Sequence, residues 1–197
     1  MLEALHEEAL AVVQALYLFL PLLVSAALSG LVLRFDWLRV LRRPIDHGAT
    51  FKGHRLFGDS KTWRGVAVAV AGSIGAVLVQ QALRAHVPSA LQVADYGQMN
   101  PFWFGAAMGT GAMVGELPNS FTKRQLGIPP GETSGGRRAV VFYVWDQVDL
   151  LTGVWPLLFW WVRPSFSLIA TSFVVALVLH PLVALVGYAI GARKSAR

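Results

Sequence analysis

Five apolar runs divide the chain, at roughly 9–33, 66–83, 101–117, 139–162 and 166–190. Each approaches the ~20 mostly apolar residues that carry an α-helix across a bilayer. The third is short and rich in small residues (FGAAMGTGAMVG). Polar, Gly- and Pro-bearing segments separate the runs. No internal repeat and no separable soluble domain is seen, so the expected fold is all-α: one integral membrane domain over 1–197, with five transmembrane helices. Pro118, Pro129 and Pro130 read as helix breakers, so Pro118 is predicted to end the third helix and open a polar loop, PNSFTKRQLGIPPGETSGGRR.

Composition agrees with that pattern. Hydrophobic residues make up 55% and charged residues only 14%, against about 25% charged in soluble domains. The chain has no cysteine, which excludes disulfides and thiolate metal sites. The start lacks the basic region and small-residue cleavage site of a signal peptide, so the first run is expected to stay as a helix. The net charge is +6, and its placement says more than its size. Arg34, Arg39, Arg42, Arg43, Lys52, Arg55, Lys61 and Arg64 lie between the first two runs. Lys123, Arg124, Arg137 and Arg138 lie between the third and fourth, and Arg193, Lys194 and Arg197 follow the fifth. Only Arg84 and Arg163 fall on the other side, with the acidic start Glu3, Glu7 and Glu8. Positive loops stay inside. The N-terminus is therefore expected outside and the C-terminus inside a cell membrane, with cytoplasmic loops at about 34–65 and 118–138.

The stretch from Gly115 to Gly153 concentrates the candidate chemistry. Asp146 and Asp149 stand three residues apart in an apolar run, on one helix face. An Asp at the centre of a membrane helix costs roughly 2.5–3.5 kcal/mol, and an intramembrane acid suggests a functional site. Mg²⁺ takes hard oxygen ligands and is commonly held by one or two carboxylates plus substrate phosphates. Asp146 and Asp149 suit it; from a helix start near Ala139, Asp146 lies about 10 Å along the axis. Lys123 and Arg124 suit phosphate charge, with Ser120 beside them, and Lys61 and Arg64 suit it from the first loop. Acids for a metal and bases for phosphate at one membrane face describe phosphoryl or nucleotidyl transfer onto a lipid.

Several features carry two readings. The aspartates also suit arginine pairing inside the bundle. Phe35, Trp37, Leu38, Val40 and Leu41 among arginines suit an interfacial segment drawn to anionic head groups, or an ordinary positive anchor. The Gly-rich DHGATFKGHRLFGDSKTWRG could gather backbone N–H groups around an anion, or be a solvated basic turn. It is no P-loop, because Asp59 and Ser60 separate its glycine from Lys61. The pairs Gly105/Gly109 and Gly111/Gly115 suit close helix packing, or room for a nucleotide.

The segment NSFTKRQLGIPPGETSGGRRAVVFYVWDQVD resembles the Ser-x-x-Lys-Arg … Asp-x-x-Asp pattern of CTP-dependent lipid cytidylyltransferases. The family most similar in length and span count is CDP-archaeol synthase, related to phosphatidate cytidylyltransferase. PIDHGATFKGHRLFGDSKTWRG resembles the same family's first loop, up to its Lys-Thr-Trp-Arg-Gly end. The resemblance implies a five-span enzyme that takes CTP and Mg²⁺ from the cytoplasm. A lipid phosphate of the archaetidic acid kind would attack the α-phosphorus of CTP, and pyrophosphate would leave. By position, Asp146 and Asp149 would bind metal, Lys123 and Arg124 would hold triphosphate with Ser120 beside them, and Lys61, Thr62 and Arg64 would contribute from the first loop. Glu116 stands where relatives have a metal-binding Asp, and Ser60 stands where glycine is expected. These departures keep two alternatives in view, phosphatidic acid as substrate and a non-catalytic relative that binds lipid or nucleotide. The implied partners are CTP and a membrane lipid phosphate, with no nucleic acid; a homodimer is left open.

Overall fold

The computed structural model describes residues 2–130, 132 and 135–189. Each predicted run becomes one helix: α1 (Leu2–Arg34), α2 (Trp63–Leu83), α3 (Pro101–Gln125), α4 (Arg137–Leu158) and α5 (Phe166–Ala189). The basic tail from Arg193, and with it the last basic cluster of the charge argument, lies outside the described residues. Among the described residues, Glu7–Arg34 and Trp63–His86 are long and apolar enough to cross a bilayer, and Phe166–Leu179 is a shorter apolar helix. α3 and α4 fall short because glycines, acids and bases interrupt them. A two-stranded hairpin, β1 (Thr50–Phe51) with β2 (His54–Arg55), qualifies the all-α expectation.

Pro118 does not end the third helix. α3 runs through it to Gln125, seven residues past the predicted break. Proline removes one backbone donor and crowds the carbonyl four residues earlier, but a helix packed among neighbours absorbs this. The Thr122 hydroxyl donates to the Pro118 carbonyl at 2.8 Å, so that turn keeps its acceptor occupied. Glu116, Asn119, Ser120 and Lys123 consequently share one helix face at i, i+3, i+4 and i+7.

α3 is the central element, and its glycines explain why. A Cβ on Gly105 would stand 2.5 Å from the Ile74 Cα, and one on Gly109 would stand 2.5 Å from the Ala69 carbonyl oxygen. That face packs on α2. On the opposite face, Gly111 and Gly115 meet Gly153 and the Asp149 carbonyl of α4. Backbone therefore fills the space that a nucleotide would need. The apolar core lies just beyond, with Leu18, Val77, Phe104, Met108, Leu151 and Val154 all nearly inaccessible.

The loop before α2 folds around Asp46, whose carboxylate accepts backbone N–H groups of Gly48 (3.1 Å), Phe57 (3.0 Å) and Gly58 (3.0 Å). Arg55 Nη2 completes the set at 2.6 Å. The anion gathered by this Gly-rich loop is thus the protein's own. Burial opposes the charged form, but the Arg55 bond and three backbone N–H groups outweigh it and hold the Asp46 carboxyl well below the usual range. Lys52 and Gly53 both have positive φ (51° and 83°), as the tight turn between β1 and β2 requires. Residues 43–45 pair with 61–63 through Ile45 N–H to Lys61 O (2.9 Å) and Trp63 N–H to Arg43 O (3.0 Å). This ladder fixes Lys61 at the mouth of α2.

Two substitutions test this architecture. Gly115→Ala forces a methyl into the α4 backbone and is expected to destabilise by about 1–3 kcal/mol, whereas Gly75→Ala, which meets nothing within 4 Å, should be neutral or mildly stabilising. Thermal unfolding in detergent distinguishes them. Asp46→Asn should cost about 1.5–3 kcal/mol near neutral pH. Because folding lowers this pKa, its stabilisation is complete above the unfolded value of about 3.9 and fades as pH falls below it. Unfolding curves of wild type and variant should therefore stay separated from pH 5 to 8 and converge in stronger acid.

Candidate active site

The approach of α3 to α4 at Gly115 and Gly153 brings the polar face of α3 against the two aspartates. Asn119, only 2% exposed, donates from Nδ2 to Asp146 Oδ1 at 2.6 Å and to Asp149 Oδ2 at 2.8 Å. Asp149 is buried as well, and its other oxygen accepts the Leu150 N–H at 2.8 Å. The Lys123 ammonium pairs with Asp146 and lies 5.5 Å from the centre of the Phe142 ring. Lys61, arriving from the first loop, pairs with Glu116. Two aspartates, one glutamate and two lysines thus converge at the end of the bundle where the long basic loops emerge.

The remaining candidates are placed differently. Arg124 is buried beside Gly58 and Pro130, and its Nε and Nη1 have no partner among the described residues. Ser120 is half-buried on the Lys123 face of α3. Thr62 caps α2 by accepting the Gly65 N–H at 3.2 Å. Arg64 turns away from the cluster and donates to Asp36 Oδ1 (2.8 Å) and to the Trp37 carbonyl (3.3 Å). It pins the turn after α1, where Asp36 and Leu38 have positive φ. The aspartates are bridged by the Asn119 amide, and Lys123 pairs with Asp146; among the described residues no arginine pairs with either.

A three-carboxylate metal set of Asp146, Asp149 and Glu116 is not assembled. Among the described residues no group of three or more His, Asp or Glu side chains is arranged to hold a cation. Glu116 instead faces Lys61. The oxygens that do come together are those of Asp146 and Asp149, bridged by the Asn119 amide nitrogen. Such a hard-oxygen group suits Mg²⁺, which needs only one or two carboxylates when water and phosphate complete its shell.

Two polar residues escaped the sequence reading. Asn119 was assigned to a loop, although its spacing of i+3 from Glu116 and i−4 from Lys123 marks it as a site residue once the helix continues. Gln147 lies off the face of the acids, is buried, and its Oε1 has no partner among the described residues. With Glu116 and Ser172 it forms the polar part of an otherwise apolar cavity of about 180 Å³ lined by Phe19, Leu23, Leu151 and Val175.

Comparison with known proteins fits this site. A family described as CarS-like, CDP-archaeol synthase, matches residues 9–196. The CDP-archaeol synthase of Halobacterium salinarum is 37% identical over 160 residues, covering 77% of this chain and 81% of its own. That of Methanoculleus marisnigri is 33% identical over 158 residues, covering 77% and 87%. A solved intramembrane enzyme for archaeal membrane lipids biosynthesis superposes with a TM-score of 0.61 at 26% identity, over 87% of this chain and 92% of the other. With the family match spanning almost the whole length and the relatives aligning over three quarters of it, the chain belongs to the CarS-like CDP-archaeol synthase family.

Proposed function

We infer that this protein transfers CMP from CTP to the phosphate of an archaeol-type ether lipid, releasing CDP-lipid and pyrophosphate. The observation that carries this reading is the cluster of Asp146, Asp149, Lys61 and Lys123 at one end of a helical membrane bundle. An oxygen of the lipid phosphate forms a bond to the α-phosphorus of CTP while the bond from that phosphorus to the β-phosphate oxygen breaks. A phosphate monoester is already ionised at neutral pH (second pKa about 6), so no side chain need remove a proton. The work left to the protein is positioning and charge neutralisation.

Lys123 and Lys61 hold counter-charges before the nucleotide arrives, and each can exchange its carboxylate for a triphosphate oxygen. That exchange leaves Asp146 freed of its lysine beside Asp149, where the two would hold Mg²⁺, whose bound charge offsets that of the triphosphate. Arg124, buried with unpartnered nitrogens behind the Gly58 turn, is available for phosphate without surrendering an existing bond. The cavity between Glu116 and the apolar walls of α1, α4 and α5 gives a lipid chain a path to the same place. The five helices each cross the bilayer, N-terminus outside, and the site opens to the cytoplasm; the bias of lysine and arginine toward the two long loops supports this orientation.

Radiolabelled CTP supplied to purified protein with Mg²⁺ tests the reading. Archaetidic acid and phosphatidic acid are offered separately, each with an EDTA control. Label is expected in the archaetidic lipid, lost with EDTA, and weak or absent in phosphatidic acid. Label confined to phosphatidic acid would move the substrate to ester lipids. Label in neither, with CTP binding intact by calorimetry, would make the protein a non-catalytic relative.

A further inference from the structure

The pairing of two carboxylates by one buried amide has a physical purpose that ordinary packing does not supply. Asp146 and Asp149 lie one helical turn apart, and like charges at that spacing repel in a low-dielectric setting. The –NH₂ of Asn119 has two hydrogens, and each serves one carboxylate, at 2.6 and 2.8 Å. Lys123 reaches only Asp146, and Lys61 is taken by Glu116. Among the described residues, Asn119 and the Leu150 N–H are the direct hydrogen-bond donors to Asp149.

The other half of the amide strengthens the point. Asn119 Oδ1 is buried without a partner, although buried acceptors are nearly always satisfied in folded proteins. The opposite orientation of the amide would set this oxygen against both carboxylates, so its placement follows from their charge. A serine there would reach less far and have one hydrogen for two acids. An aspartate would add a third negative charge and no donor.

We propose that Asn119 is a positioning residue for CMP transfer: its amide holds Asp146 and Asp149 together in readiness for a divalent cation. The inference rests on reading the two aspartates as the cation-holding pair. It assigns to α3 a part in assembling the site that is separate from the phosphate-neutralising role of Lys123 on the same face.

The test uses Mn²⁺ as the probe, because free and protein-bound Mn²⁺ are distinguished by electron paramagnetic resonance without turnover. In purified Asn119→Ala, Mn²⁺ binding without CTP should weaken by about 10–100-fold, as for removal of groups that orient metal ligands. The Mg²⁺ concentration for half-maximal CMP transfer should rise by a similar factor, and saturating Mg²⁺ should restore most of the turnover rate. Asn119→Gln, which keeps the amide but displaces it by one methylene, should fall between; it carries the test if the alanine variant does not fold. Unchanged Mn²⁺ affinity and Mg²⁺ half-saturation in a folded variant would overturn the proposal, whatever happened to thermal stability. A wild-type protein that neither binds Mn²⁺ nor transfers CMP would remove the underlying functional reading as well, and is thereby told apart from failure of the Asn119 inference alone.

Discussion

The backbone contact between α3 and α4 is the constraint on which the site depends. In a bilayer, helices gain little from burying apolar surface against each other, so small residues that let backbones touch become the means of association. Gly111, Gly115 and Gly153 leave no room for even one methyl between the two helices. Glu116 and Asn119 follow Gly115 within a turn, and Asp149 precedes Gly153 by one. The glycine contact therefore also sets the distance from which acids and amide meet. Gly105 and Gly109 do the same work against α2, and so α3 is held on both sides.

Charge is the second constraint, and it explains the pairing pattern. Carboxylates set below the end of a membrane bundle must be neutralised, and here the partners are two lysines and an amide, with no arginine among them in the described residues. A lysine is a flexible point charge with rotatable donors, suited to leaving a carboxylate for an incoming phosphate. The arginines in contact with acids serve the frame instead. Arg55 closes the Asp46 knot, and Arg64 secures the turn after α1. Both frame contacts lie in the first loop, and the strand pairing of residues 43–45 with 61–63 delivers their rigidity to Lys61. The protein thus separates the cations that hold it together from those available for chemistry.

Much of this was legible in the residues themselves. The five apolar runs are the five helices, because hydropathy over about twenty residues reports burial in lipid or core regardless of detail. The acid pair and the lysines were visible because charges are rare in such a chain. Asn119 was not, since Pro118 by local rule ends the helix that displays it, and tertiary packing outweighs that rule. The Gly-rich first loop was rightly suspected of gathering backbone N–H groups, but periodicity could not show that Asp46 supplies the anion. Arg64 looked like a phosphate ligand by proximity to Lys61, but its guanidinium is engaged by Asp36 and the Trp37 carbonyl, while Lys61, in the loop before α2, pairs with Glu116. Glu116 also looked like a third metal ligand, and its pairing with Lys61 depends on contacts between separate elements that no local pattern encodes.

Asp149 is the residue on which the site most depends: it is buried, fixed by Asn119 and held at the α3–α4 contact. The decisive measurement is CMP transfer to archaetidic acid by Asp149→Asn, alongside its thermal unfolding in detergent. The substitution preserves shape and removes charge, so a folded variant with activity reduced by about a hundredfold or more is the expected result. A folded variant that keeps substantial transferase activity would contradict the placement of the reaction at this helix pair.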